Sequence, residues 1–447
     1  MSIRPECALA ALAAALAVPA AEVELTAKGE LVAARGAAVS RLECGKGEDG
    51  NLRLSFVLAP EREDEPLTLK VSGLYPRNWI VQENGWQLGK WLDEQLAAGV
   101  RLGASRPGVY VVSKMGGQQK PKDWDARWAK LLVQVESTLD HTLQPCYFWA
   151  PAKARTEAVP LVVGLHTWSA DYRQTDHYRT VLDYAQKQGW AMVGPNFRGP
   201  NTTPPACGGD PAVQDIVDAV NYAKAQVKVD SERVYIVGGS GGGHMTLLML
   251  GRHPEIFAAG AAFCPITDVA RWHADSLLDH PGRGKHYAKM LEGACGGTPA
   301  ERPADYARRS PLTWLPRARA AGVPTYVVTG IHDGWKGSVP VGHSFRAFNA
   351  LADEGDRVGE DDIARIEATQ AVPSALAYAG PADPFYSPKN RIHFRRTSAN
   401  VRFTLFEGGH GGNFPAGLDF LSRQRKGRPA DFSLPASGQG REEALGK

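Results

Sequence analysis

The sequence predicts an α/β chain: a mostly parallel, doubly wound sheet with helices on both faces, preceded by a small β-rich region. Three observations carry this expectation. From about residue 147, short apolar runs (160–166, 190–195, 234–237) alternate with stretches of helical period, the pattern of parallel strands buried on both faces. Residues 36–145 have another rhythm. Arg53-Leu54-Ser55-Phe56-Val57-Leu58 and Leu67-Thr68-Leu69-Lys70-Val71 alternate as half-buried strands do, with Gly and Pro between them. Third, the run Tyr235-Ile236-Val237 ends in Gly238-Gly239-Ser240-Gly241-Gly242-Gly243, and Met245-Thr246-Leu247-Leu248-Met249-Leu250 follows at once. That is strand, sharp turn and helix around a serine, a nucleophile elbow.

The 447 residues divide on this reading into residues 1–20, a signal peptide; 36–145, the β-rich region; 146–423, a catalytic domain; and 424–447, a polar tail with Pro and Gly expected to be disordered. The signal rests on Arg4, the Ala/Leu-rich run from Ala8 to Val18 and the small residues around Ala20. That run is shorter than the ~20 residues of a membrane span, so export to periplasm or medium is expected, without a stable span. A net charge of +3 offers no broad attraction to nucleic acid. Without Cys7, the cysteines Cys44, Cys146, Cys207, Cys264 and Cys295 are odd in number, and none has metal-ligand spacing.

Within the β-rich region, Leu92–Ala98 reads as a short helix stopped by Gly99. Residues 123–139 suit a helix capped by Asp123, with Trp124, Trp128, Leu131, Leu132 and Val135 on one face. The 11 tryptophans suit a carbohydrate platform or, more plainly, core packing. In the second half, Asp210 opens a helix with Val213, Ile216, Val217 and Val220 on its apolar face. Residues 267–320 form an excursion rich in Arg, His, Gly and Pro, either a lid or irregular surface. Thr325 to Gly330 resumes the sheet, residues 352–400 read as an acidic helical piece and a Pro/Tyr-rich loop, and Val401 to Phe406 is the last strand.

A serine hydroxyl needs a base within hydrogen-bond reach and an acid to orient that base. In open α/β sheets such groups come from loops past the C-terminal ends of strands. Asp333 follows the strand ending at Gly330, and His410 follows the last strand within Gly408-Gly409-His410-Gly411-Gly412. The order Ser240, Asp333, His410 is that of an α/β-hydrolase. Asp268 is the rival acid; His332 and His343 are rival bases on the wrong strand. One oxyanion donor is the Gly241 N–H. The second is the N–H of Thr167 or Trp168, in the loop after strand 160–166. Trp168 is also a candidate wall of the acyl pocket and Arg198 a candidate substrate contact, with a structural salt bridge as the alternative for Arg198. His166 reads as a brace for its loop.

Over about residues 145–420 the chain resembles the catalytic domain of the prolyl oligopeptidase family of α/β-hydrolases. The resemblance is carried by residues 160–166, Asn196-Phe197-Arg198-Gly199, Asp215-Ile216-Val217-Asp218-Ala219-Val220, Gly238–Gly242, Gly330-Ile331-His332-Asp333 and Gly408-Gly409-His410-Gly411. It implies Ser240 as nucleophile, Asp333 as acid, His410 as base, and no cofactor or metal. Two departures stand out. Residues 36–150 are too few for a β-propeller of at least four blades at about 40–50 residues each, and His166-Thr167 replaces the family's His-Gly. The expected protein is therefore a serine hydrolase acting on small-molecule or polymer-borne esters or peptides through an acyl-enzyme, with a lean to esters. A serine peptidase is the alternative, and a carbohydrate-binding protein on a hydrolase scaffold the remote one.

Overall fold

The computed structural model describes residues 21–46, 52–62, 66–74, 78–83, 86–104, 107–114, 126–278 and 285–434. The expected signal peptide, the capping Asp123 with Trp124, and the tail after Leu434 lie outside them. The chain separates into two compact units, Met1–Lys122 with Asp140–Leu143, and Asp123–Leu139 with Gln144–Lys447.

The first unit contains β1 (Ala21–Thr26), β2 (Leu31–Arg35), β3 (Ala37–Lys46), β4 (Leu52–Pro60), β5 (Pro66–Ser72), β6 (Asn78–Glu83), β7 (Trp86–Leu92), a helix over Asp93–Ala98, β8 (Val100–Ala104) and β9 (Gly108–Lys114). They form two sheets, ordered β2-β1-β5-β8 and β3-β4-β9-β6-β7. Among the described residues strand structure is thus present from Ala21, earlier than the 36 read from sequence. In β1, Ala21, Val23 and Leu25 are buried and Glu22, Glu24 and Thr26 are not, so the period-2 signal is present but masked by two acids. Lys70 Nζ of β5 meets Glu22 at 2.6 Å. Phe56 stacks on Tyr110 with centroids 5.5 Å apart in a core that also holds Trp79 and Trp91.

In the second unit a helix over Ala126–Leu131 runs directly into β10 (Leu132–Glu136). The helix expected over 123–139 is therefore half right: the β-branched alternation of Leu132-Val133-Gln134-Val135-Glu136 wins over the helical stripe once a sheet edge is available. Then come β11 (Leu143–Trp149), β12 (Val159–Leu165), β13 (Ala191–Pro195), β14 (Val229–Gly239), β15 (Ala259–Phe263), β16 (Thr325–Gly330), β17 (Ile392–Ser398) and β18 (Val401–Phe406). They make one nine-stranded sheet in the order β10-β11-β13-β12-β14-β15-β16-β18-β17. The central pairs from β13 to β18 are parallel, while β11 with β13 and β17 with β18 are antiparallel.

Alternate residues of each central strand enter different cores. Leu161, Val163, Leu165 and Ile236 face one, and Val162, Tyr235 and Val237 face the other. This alternation makes the sheet doubly wound, since both faces need helices to exclude water. Trp128 is fully buried against Tyr147 and Tyr178, as core packing rather than a platform.

Three expectations need correction. Residues 392–398, read as loop, form the edge strand β17, whose His and Arg residues hide its apolar signal; Arg395 is buried against Asp383 at 2.8 Å. The excursion 267–320 contains helices Val269–Leu277, Lys285–Cys295, Pro303–Arg309 and Pro311–Ala320. The tail is ordered as far as Leu434: the buried Gln424 donates to the carbonyls of Phe420 and Asp431, and Phe432 stacks on Phe420 at 5.4 Å.

Candidate active site

Strands β14, β15, β16 and β18 are parallel neighbours, so their C-terminal ends share one edge of the sheet. Ser240, Cys264, Asp333 and His410 follow these four strands. Ser240 has φ 56° and ψ −119°, a backbone state that costs an L-residue about 1–3 kcal/mol and that the surrounding turn must impose. Its N–H donates to the Phe263 carbonyl at 2.8 Å, and its carbonyl accepts from His244 N–H at 2.9 Å. The flanking glycines permit close backbone packing. A β-carbon on Gly238 would lie 2.5 Å from the Gly242 carbonyl carbon, and one on Gly241 would lie 2.5 Å from the Trp168 nitrogen. The helix Gly241–Arg252 begins at once and aims its first N–H groups at the turn.

The contact of Gly241 with the loop after β12 bears on the oxyanion. The Thr167 N–H donates to Gln174 Oε1 at 2.9 Å, so it is already engaged. Among the described residues the Trp168 N–H makes no hydrogen bond, and it lies against Gly241. His166 holds this loop: its ring stacks on Phe197 at 3.8 Å, with its two nitrogens facing the carbonyls of Thr167 and Asn196 at 2.9 and 2.7 Å.

Asp333 is 2% exposed. Its carboxylate accepts from the N–H groups of Gly334 and Val339 at 2.9 and 3.2 Å and from the Thr329 hydroxyl at 3.3 Å. Its oxygens lie 2.9 and 2.8 Å from His410 Nδ1, which fixes the imidazole with Nδ1–H donating and Nε2 on the side away from Asp333. Burial works to lower the His410 pKa, but the Cys264 sulfur and the Asp333 carboxylate beside the ring outweigh it and raise the pKa above the ordinary value. Gly337 closes the pair from behind: a β-carbon there would overlap His410 Cβ and an Asp333 oxygen. One turn away, Glu407 joins His332 Nε2 at 2.7 Å and His393 Nε2 at 2.9 Å. This ties the loop before Asp333 to the loop before His410.

His410 Nε2 faces the Cys264 sulfur at 3.8 Å. Cys264 is 3% exposed, with φ 39°. No hydrogen bond of the Ser240 hydroxyl is found among the described residues. Sequence reasoning counted Cys264 only among the thiols. The available signal was its position, the first residue after the strand beside the one that leads to Ser240, where Gly239 pairs with Phe263. Gly337 and Gln174 had no such signal.

The rivals are engaged elsewhere. Asp268 caps the helix Val269–Leu277, accepting from Ala270 and Arg271 N–H. His343 is buried, with Nδ1 3.2 Å from both the Thr267 N–H and its hydroxyl. His332 lies between Gln370 and Glu407. Two candidate substrate contacts are core residues instead. Arg198 Nε and Nη2 grip Asp215 at 2.6 and 2.9 Å, and Nη2 also reaches Ser137 Oγ at 3.1 Å, with the side chains 4% and 1% exposed in the Arg198–Asp215 pair; this is the salt-bridge reading. The Trp168 indole is 2% exposed, edge-on to Trp272 at 4.7 Å, so Trp168 presents its backbone and not its ring to Gly241. The five described cysteines are free thiols. No helix among the described residues is long and apolar enough to cross a membrane.

Residues 205–360 match the model of the prolyl oligopeptidase family, a stretch containing Ser240 and Asp333 but not His410. Feruloyl esterase B of Thermothelomyces thermophilus is 31% identical over 126 residues, covering 26% of this chain and 42% of that protein. The acylamino-acid-releasing enzyme of Arabidopsis thaliana is 25% identical over 223 residues, 46% of this chain and 27% of that protein. This chain thus spans less than half the length of the curated relatives it matches. Among solved structures, the Pyrococcus horikoshii acylaminoacyl peptidase superposes with TM-score 0.44 at 15% identity, covering 89% of this chain and 58% of that one. A puromycin-hydrolyzing peptidase of Mycobacterium tuberculosis gives 0.46 at 16%, covering 90% and 57%.

Proposed function

Taking this chain as a serine hydrolase of the prolyl oligopeptidase family, we propose that Ser240, His410 and Asp333 form its catalytic triad and that it cleaves carboxylic esters through an acyl-enzyme. The observation that carries the reading is the doubly hydrogen-bonded Asp333–His410 pair on the sheet edge that presents the strained Ser240. His410 Nε2 takes the Ser240 proton as Oγ attacks the carbonyl carbon. The Gly241 and Trp168 N–H groups receive the oxyanion, and Asp333 stabilises the imidazolium that forms. His410 then protonates the leaving group, and water releases the acyl group by the same steps in reverse.

Two things support esters over peptides. The matched curated relatives include feruloyl esterases at 28 to 31% identity, against 25 to 27% for the acylamino-acid-releasing enzymes. Among its described residues the first unit is also built as two sheets of four and five strands, not as blades of a propeller, which needs about sixteen strands at four per blade. Aromatic acyl esters borne on small molecules or polymers are the substrate class to try first. Export through residues 1–20 belongs to the same reading and rests on Arg4 and the apolar run that follows.

The test compares turnover of an activated aryl ester and a feruloyl ester with that of aminoacyl and Xaa-Pro anilides, using wild type, Ser240→Ala and Cys264→Ala. Ester turnover should fall about 10⁴-fold or more in Ser240→Ala. Serine-dependent cleavage of the anilides at rates matching the esters would make the protein a peptidase. Loss of turnover in Cys264→Ala with full activity in Ser240→Ala would make the thiol the nucleophile and end the reading.

A further inference from the structure

Cys264, His410 and Asp333 bring a soft thiol, a borderline imidazole and a hard carboxylate together at the sheet edge, one ligand atom of each within 4.8 Å of the others. The triad mechanism has no use for the thiol. We propose that Cys264 and His410 form a binding site for a thiophilic divalent cation such as Zn²⁺ or Cd²⁺, and that its occupancy switches the hydrolase off.

The geometry fits such an ion. Zinc holds a thiolate sulfur at about 2.3 Å and an imidazole nitrogen at about 2.0 Å, and a tetrahedral angle between them sets the donors about 3.5 Å apart. The Sγ–Nε2 separation is 3.8 Å, close to that span without movement of the backbone. The other ring nitrogen already donates to Asp333 at 2.8 Å, the carboxylate–histidine arrangement that orients an imidazole toward a metal and strengthens it as a donor. His410 is partly open to solvent, with its side chain 23% exposed, so an ion can arrive from the histidine side, and water can complete the coordination. Zinc or cadmium prefers such an S,N pair to the oxygen-only clusters that take magnesium or calcium.

Inhibition follows from the proposed role of His410, on which this part of the inference rests. The Nε2 lone pair that takes the Ser240 proton becomes the metal bond. The Cys264 sulfur supplies the second bond to the ion. The other buried thiols are poor competitors. Burial pushes Cys207 to about 12 and Cys295 to about 11. Cys44 is exposed and can be removed separately.

The experiment titrates purified Cys44→Ser protein with Cd²⁺, following the thiolate-to-cadmium charge-transfer absorbance and, in the same samples, ester turnover and its recovery with EDTA. Cys264→Ser and Cys264→Ala in that background are the comparison, with thermal unfolding to show that they fold. One equivalent should produce the band and abolish turnover. Both Cys264 variants should lose the band and need at least about 100-fold more metal, since a lost ligand outweighs the 10–100-fold typical of an outer-shell partner. A band of equal size in folded Cys264→Ala, or none in the parent, would overturn the site. A Cys264-dependent band with turnover intact would leave the metal site standing and refute inhibition, together with His410 as the base.

Discussion

Replacing Gly337 by Ala adds one methyl group behind Asp333 and His410, the proposed acid and base. Built on the present backbone, that carbon overlaps His410 Cβ and an Asp333 oxygen. Ordinary carbon contacts lie at about 3.5–4.0 Å, so at least about 1 Å of displacement must be shared among the three residues. Asp333 cannot yield alone, because it is held by Gly334 and Val339 N–H at 2.9 and 3.2 Å. The loop carrying His410, with glycines on both sides, moves most easily. A misplacement of about 1 Å costs a catalytic group about 100-fold, or about 2.7 kcal/mol in the barrier. Overpacking should cost stability about 1–3 kcal/mol. The assay is kcat and KM for an aryl ester with thermal unfolding alongside, and Gly355→Ala as control, since nothing lies within 4 Å of a β-carbon there. The expected result is a kcat lower by about two orders of magnitude at nearly constant KM. A folded Gly337→Ala whose kcat stays within about threefold of wild type would refute the argument that this glycine sets the acid–base geometry.

Two further outcomes follow from buried charge. His244 donates Nε2–H to the Arg309 carbonyl at 2.7 Å and leaves Nδ1 buried without a partner, so burial lowers its pKa from 6.5 to about 4. Between those values the unfolded chain takes up the proton and the folded one does not. Stability is therefore complete above 6.5 and lost as pH falls toward about 4, by up to about 3 kcal/mol. Thermal unfolding across that window should show a shallower loss in His244→Asn, and an equal slope in the two proteins would contradict the assignment. Asp215→Asn leaves the buried Arg198 without its counter-charge and should cost about 3–5 kcal/mol in urea unfolding while KM stays unchanged; unchanged stability with a raised KM would return Arg198 to the substrate.

By itself the sequence determined the parallel sheet and the placing of Ser240, Asp333 and His410 each after a strand. Apolar strands, a glycine-flanked serine, and an acid and a histidine each following a strand are local patterns, and parallel topology alone carries strand ends to one edge. Local competition blurred the rest of the fold. Helix and strand periods both fit 123–139, and His393, Arg395 and Arg396 in Ile392–Ser398 hid an edge strand in which Arg395 is neutralised by the distant Asp383. Tertiary structure alone decided the finer chemistry. That Gln174 engages the Thr167 N–H and leaves Trp168 facing Gly241 depends on a contact seven residues along the chain. That Arg198 is a brace depends on Asp215, and that the Trp168 ring is core depends on Trp272. The place of Cys264 at the His410 imidazole, 146 residues away in sequence, depends on the register of β14, β15, β16 and β18. Residue type and spacing determine what a side chain can do; its partner across the sheet edge is set by packing, which brings together residues that no sequence window contains.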